Sequence, residues 1–99
     1  TMEEIESFVI VRTLLCDIVD PSRITHKDTL SYFGILLDDN IRKWICRVQL
    51  KETAKYLILP TEEKGKFTKY PIESLNEIIK FKDDLIKAVS LYEDINKND

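Results

Sequence analysis

Two glycines, three prolines, two cysteines and one histidine are all that this 99-residue chain has of the residues that most often build turns, linkers and metal sites. Gly34 and Gly65 lie too far apart to form a loop that cradles phosphate with backbone N–H groups, which excludes the common nucleotide-binding loops. Pro21, Pro60 and Pro71 leave no Pro-rich or Gly-rich linker, so residues 1–99 read as one domain. Cys16, Cys46 and His26 make no recurring metal-ligand spacing, and neither a metal nor a cofactor is expected. Both cysteines sit among apolar residues, which favours two buried, reduced thiols over a disulfide. No run of about 18 apolar residues is present to span a bilayer. The acidic start Thr1-Met2-Glu3-Glu4 differs from a basic secretory signal, so a soluble cytoplasmic protein is expected.

What the chain does have is apolar and charged residues, 43% and 33%, enough for one modest core under a charged surface. The net charge of -3 is unevenly spread. Residues 41–70 carry 8 basic and 3 acidic side chains, whereas residues 1–40 carry 3 and 8, and residues 71–99 carry 4 and 7. A basic centre is thus flanked by acidic ends, which disfavours non-specific phosphate binding but allows an oriented contact with nucleic acid.

Apolar periodicity divides the chain. Thr1 and Glu4 form a capping box ahead of Ile5, Phe8, Val9, Leu15, Cys16 and Val19, which predicts a helix from about Met2 to Val19, ended by Asp20-Pro21. The stripe is wide enough to be buried on a sheet and also to touch a neighbouring subunit or domain. Ile24 to Lys27 leads into a first strand, Asp28 to Leu37, joined through Asp38-Asp39-Asn40 to a second, Ile41 to Leu50. In the second, Trp44, Cys46, Val48 and Leu50 alternate with Lys43, Arg47 and Gln49, so the first set is expected in the core and the second in water. Gly34 marks a bulge or a backbone crossed by a large neighbour, with Trp44 or Tyr56 the candidates. Tyr56 to Leu59 and Phe67 to Ile72 complete four strands, and Thr61 to Lys66 forms a charged tip. Ser74 and Glu77 cap a helix carrying Leu75, Ile78, Ile79, Leu85, Ile86, Val89 and Tyr92; because Lys82 and Asp83 interrupt the stripe, one helix and a pair broken near Phe81 to Asp83 are both open. The tail beyond Tyr92 is polar and expected to fray. The fold class is therefore α+β: a four-stranded antiparallel meander with the N-terminal and C-terminal helices on one face, and Trp44, Cys46, Val48, Leu15, Ile79 and Ile86 in the core.

No catalytic set stands out. Asp38 or Asp39 with Glu62-Glu63-Lys64 has the chain order of a metal-dependent PD-(D/E)xK nuclease, but the acidic pair would fall in a hairpin tip rather than on a strand. His26 has no nucleophile or carboxylate at a useful spacing and reads as a surface or loop histidine. Binding is left as the stronger prospect: Lys43 and Arg47, with Lys55 and Lys69, would form a basic patch if the outer sheet face is open.

The run ITHKDTLSYFGILLDDNIRKWICRVQL, preceded by TMEEIESFVIVRTLL and followed by KYLILP and YPIESLNEIIKFKDDLIKAVSLY, resembles the C-terminal domain of bacterial type I restriction enzyme R-subunit-like proteins. The resemblance implies a piece of a longer bacterial restriction-modification protein whose nuclease-like domain precedes it, so no catalytic residue carries over. A non-catalytic accessory domain for DNA contact or subunit assembly is the leading expectation. A protein-interaction domain without a nucleic-acid role comes second, and an autonomous metal-dependent nuclease last. The expected partners are DNA, other domains of the parent protein and a second copy of the chain.

Overall fold

The Thr1 hydroxyl accepts the Glu4 N–H at 3.2 Å and the Glu4 carboxylate accepts from the Thr1 nitrogen at 2.8 Å, closing the capping box. In the computed structural model, which describes residues 1–94, this box opens helix α1, Met2–Leu14. The helix stops before Val19. Leu15 leaves helical geometry, and the Ile18 and Val19 N–H groups both donate to its carbonyl, at 2.9 and 3.1 Å. This wound end turns Leu15 and Val19 inward and Cys16 outward, so Cys16 is exposed rather than buried. Asp20 then caps a short 3₁₀ turn, Pro21–Arg23, by accepting the Ser22 N–H at 2.9 Å.

Five strands follow, where four were expected: β1 Ile24–Asp28, β2 Phe33–Leu37, β3 Asn40–Leu50, β4 Lys55–Pro60 and β5 Phe67–Ile72, in an antiparallel meander in chain order. The extra strand arises because the segment from Asp28 to Leu37 is not one strand. Thr29 Oγ1 accepts the Tyr32 N–H at 3.1 Å and donates to the Tyr32 carbonyl at 2.8 Å, building a tight turn without glycine or proline. Asp38 and Asp39, with φ of 58° and 55°, form the two-residue link from β2 to β3, the left-handed pair that matches strand twist in hairpins.

A bulge interrupts the β2–β3 pairing. Ile35 opposes Cys46 but Leu36 opposes Trp44, so Ile45 is an extra residue. Ile45 and Cys46 both end fully buried, and Trp44, expected in the core, moves to the other face with Arg47. The simple alternation predicted for this strand fails there, and a second register shift follows between Leu36 and Leu37, whose partners are Trp44 and Asn40. The Trp44 carbonyl accepts the Tyr92 hydroxyl at 2.7 Å, which ties the segment after the last helix to the bulge.

Of the two C-terminal alternatives, one helix or a broken pair, the structure has the pair: a 3₁₀ helix, Leu75–Phe81, and helix α2, Lys82–Ser90. Three residues per turn put Leu75, Ile78 and Phe81 in one row. Ile79, expected in the core, is consequently 55% exposed. Both helices share one core with one face of the sheet: Val11, Leu15, Ile78, Leu85 and Val89 pack with Phe33, Ile35, Ile45, Cys46, Val48 and Leu57, while Ile86 is partly buried against them. Residues 95–99, most of the polar tail, lie outside the described residues, but Glu93 is held by Arg23.

Candidate functional site

Strand registers decide what the uncovered sheet face carries. Lys27 opposes Gly34, Gly34 opposes Arg47, Arg47 opposes Ile58 and Ile58 opposes Lys69, one straight row across all five strands. Cations therefore stand on β1, β3 and β5, and two strand spacings separate successive ones by about 9–10 Å at the backbone. Asp28 is the only acidic residue in the five strands, and it opposes Phe33 on the covered face. Among the described residues, Lys27, Arg47 and Lys69 form no ion pair.

Aromatic rings surround that row. The Arg47 guanidinium carbon lies 3.9 Å from the centre of the Trp44 ring and 4.5 Å from that of Tyr32, a cation held between two π faces. Lys69 Nζ lies 4.2 Å over the Tyr56 ring. Leu36 and Ile58 are buried beneath these side chains yet stand apart from the main core, which shows that the second face carries its own thin apolar layer. Two depressions meet at Ile41, Trp44 and Arg47. One, of about 290 Å³, is floored by Gly34 and Leu36 and edged by Lys27 and Tyr32. The other, of about 840 Å³, runs toward Arg42, Lys64, Lys66 and Phe67 at the β4–β5 turn, where Glu62 also lines it.

Of the four basic residues singled out in the sequence, the fold brings Arg47 and Lys69 together on this face and separates the other two. Lys43 precedes the bulge, and its Nζ lies 3.8 Å from Asp38. Lys55 pairs with Leu50 and Ile72 on the helix side and shares a depression with Glu3, Glu6 and Glu73. Lys27, Tyr32, Trp44 and Tyr56 are the members that sequence reasoning missed. Thr25 and Lys27 alternating with Ile24 and His26 were the available signal for β1.

Asp38 and Glu93 are engaged elsewhere. Arg23 donates to both Asp38 oxygens at 2.8 Å and to the Glu93 oxygens at 3.0 and 2.6 Å, joining the 3₁₀ turn, the β2–β3 turn and the chain after α2. These hydrogen bonds hold both carboxyls below the ordinary carboxylate range. Glu62 and Lys64 lie in the β4–β5 loop, off the sheet. Among the described residues, no three His, Cys, Asp or Glu side chains are grouped to hold a metal ion. His26 stands in β1, not in a loop. Its ring centre is 4.8 Å from that of Phe8 and 5.2 Å from that of Phe33, an aromatic contact at the rim of the core. Burial drives the Cys46 thiol far above its ordinary value.

The structure thus defines an α+β protein with a one-sided antiparallel sheet whose free face is basic and aromatic. Family models, curated proteins and solved structures offer no match to the chain. Among the described residues, no helix is long and apolar enough to cross a membrane.

Proposed function

We propose that this chain is a non-catalytic nucleic-acid contact module that binds through its uncovered sheet face. The observation that carries the reading is the row Lys27–Gly34–Arg47–Ile58–Lys69, three cations without a carboxylate beside them, on a protein that is acidic as a whole. Overall acidity repels phosphate, so binding confined to one face orients the ligand. Within a bacterial restriction-type parent protein, which the sequence resembles, the ligand is DNA and the module acts as an accessory domain in the cytoplasm. Three phosphate contacts give a log–log slope of affinity against salt of roughly -2 to -3. Titrating labelled DNA with the chain at rising salt tests this, and no binding even at low salt would sink it.

A second reading is subunit or domain assembly without nucleic acid. It is favoured by a stripe on α1, where Met2, Ile5 and Val9 are 83%, 44% and 52% exposed. Concentration-dependent dimerisation in light scattering, abolished by Ile5→Lys/Val9→Lys, supports that reading. A monomer at all concentrations and no capture of the parent protein's remaining domains count against it.

A further inference from the structure

Resting on the nucleic-acid reading, we infer that the ligand is single-stranded, with one unpaired base seated in the hollow above Gly34, beside Trp44 and between Lys27 and Arg47.

A duplex keeps its bases paired and stacked inside, so it gains from cations on a flat face but cannot use aromatic planes there. Unpaired bases can, and alternating cations and aromatic rings are the combination that single strands require. Here Tyr32, Trp44 and Tyr56 accompany the cation row, and Phe67, 54% exposed, continues the aromatic surface along the second depression. The two depressions share Trp44 and Arg47, so a strand can run from Lys27 past the Trp44–Arg47 stack toward Lys64 and Lys66, along a lining in which Arg42, Arg47, Lys64 and Lys66 outnumber the carboxylate of Glu62.

A Cβ on Gly34 would meet the Lys27 carbonyl and the Tyr32 ring at 3.5 Å and Leu36 at 3.7 Å, ordinary contact distances, and its φ lies outside the left-handed region. Neither the backbone nor the packing requires glycine, although glycine within a strand costs about 0.5–1 kcal/mol relative to alanine. What the missing side chain does is keep the hollow open. The space, about 290 Å³, has an apolar floor in Leu36, a ring wall in Trp44 and Tyr32, and a cation on either side for flanking phosphates. Stacking of Arg47 on both rings fixes its guanidinium plane and leaves its edge donors for a base or phosphate oxygen.

Trp44 is the only tryptophan and reports on its own site. The full chain is titrated at low salt with an oligothymidylate, with an abasic strand of equal length and with a blunt duplex, following Trp44 fluorescence and binding together. The expected result is quenching by oligothymidylate, and affinity about tenfold above that for the abasic strand and the duplex, the scale of one stacked base. Gly34→Val fills the hollow and should bring oligothymidylate down to the abasic level while the salt slope is retained. Equal affinity for all three probes without quenching overturns the single-strand inference and leaves the nucleic-acid reading standing. Failure of all three probes to bind overturns both. The probe comparison uses the unaltered chain, so the inference is decided even if the valine variant does not fold.

Discussion

Replacing Arg23 by alanine removes the one side chain that ties three distant parts of the chain together, and the outcome should depend on pH. Arg23 holds Asp38 in a two-point contact at 2.8 Å and Glu93 at 2.6 and 3.0 Å. The three side chains remain 36%, 36% and 30% exposed, so solvent screens each pair. Exposed pairs contribute up to about 1 kcal/mol each; with two-point geometry toward two carboxylates, roughly 1–2 kcal/mol is expected for the cluster. In a domain of this size that is a fall in Tm on the order of 4–16 °C at neutral pH. Both carboxyls are held below their ordinary values in the folded state. Their stabilisation is therefore present above the pH range in which unfolded carboxylates titrate, and it is lost as the pH falls through the lowered values. Thermal melts of the parent and of Arg23→Ala should differ at pH 7 and converge in acid. A gap that stays constant into acid would refute the electrostatic account and assign the effect to packing of the arginine stem.

Three further outcomes follow from individual contacts. Tyr92→Phe deletes the hydroxyl that satisfies the Trp44 carbonyl at the bulge and should cost about 1–2 kcal/mol in urea unfolding, with a shift in Trp44 emission; unchanged stability and emission would remove Tyr92 from the support of the bulge. Asp39→Gly relieves a left-handed φ of 55° and should stabilise the hairpin by up to about 1 kcal/mol, whereas lower stability would show that the Asp39 side chain contributes more than its backbone strain costs. A native thiol titration near neutral pH should count one reactive group, the exposed Cys16, and a second only after unfolding, because Cys46 is fully buried. Two reactive thiols in the native state would contradict the burial of Cys46.

Much of the scaffold is visible in the residues themselves, and the exceptions share a cause. The capping boxes at Thr1 and Ser74, the left-handed Asp38-Asp39 turn and the break at Phe81 are encoded by a few neighbouring residues, and local signals of that kind survive folding. Strand β1 is hidden because its turn depends on the Thr29 hydroxyl rather than on glycine or proline. Ile79 misses the core because the 3₁₀ winding shortens the repeat from 3.6 to 3.0 residues. The largest departure comes from Ile45. One extra residue in β3 sends Trp44 to the basic face, and a second register shift, between Trp44 and Asn40, takes in Lys43, which lies near Asp38. A period-two pattern cannot reveal where its own phase slips. The basic centre of the chain is legible in composition, but its distribution depends on the irregular register of β3 and on the register of β4, which places Lys55 on the helix side.

Binding of nucleic acid to the uncovered face is tested most directly by two charge-matched double variants. Arg47→Gln/Lys69→Gln removes two cations from the row, and Lys43→Gln/Lys55→Gln removes two that stand outside it, one beside Asp38 and one on the helix side. Both lower the net charge equally. For single-stranded DNA titrated at several salt concentrations, the first pair should weaken binding and flatten the salt slope by roughly 1.4, while the second leaves both near the parent values. Equal losses from the two pairs, or a loss confined to Lys43→Gln/Lys55→Gln, would contradict the account.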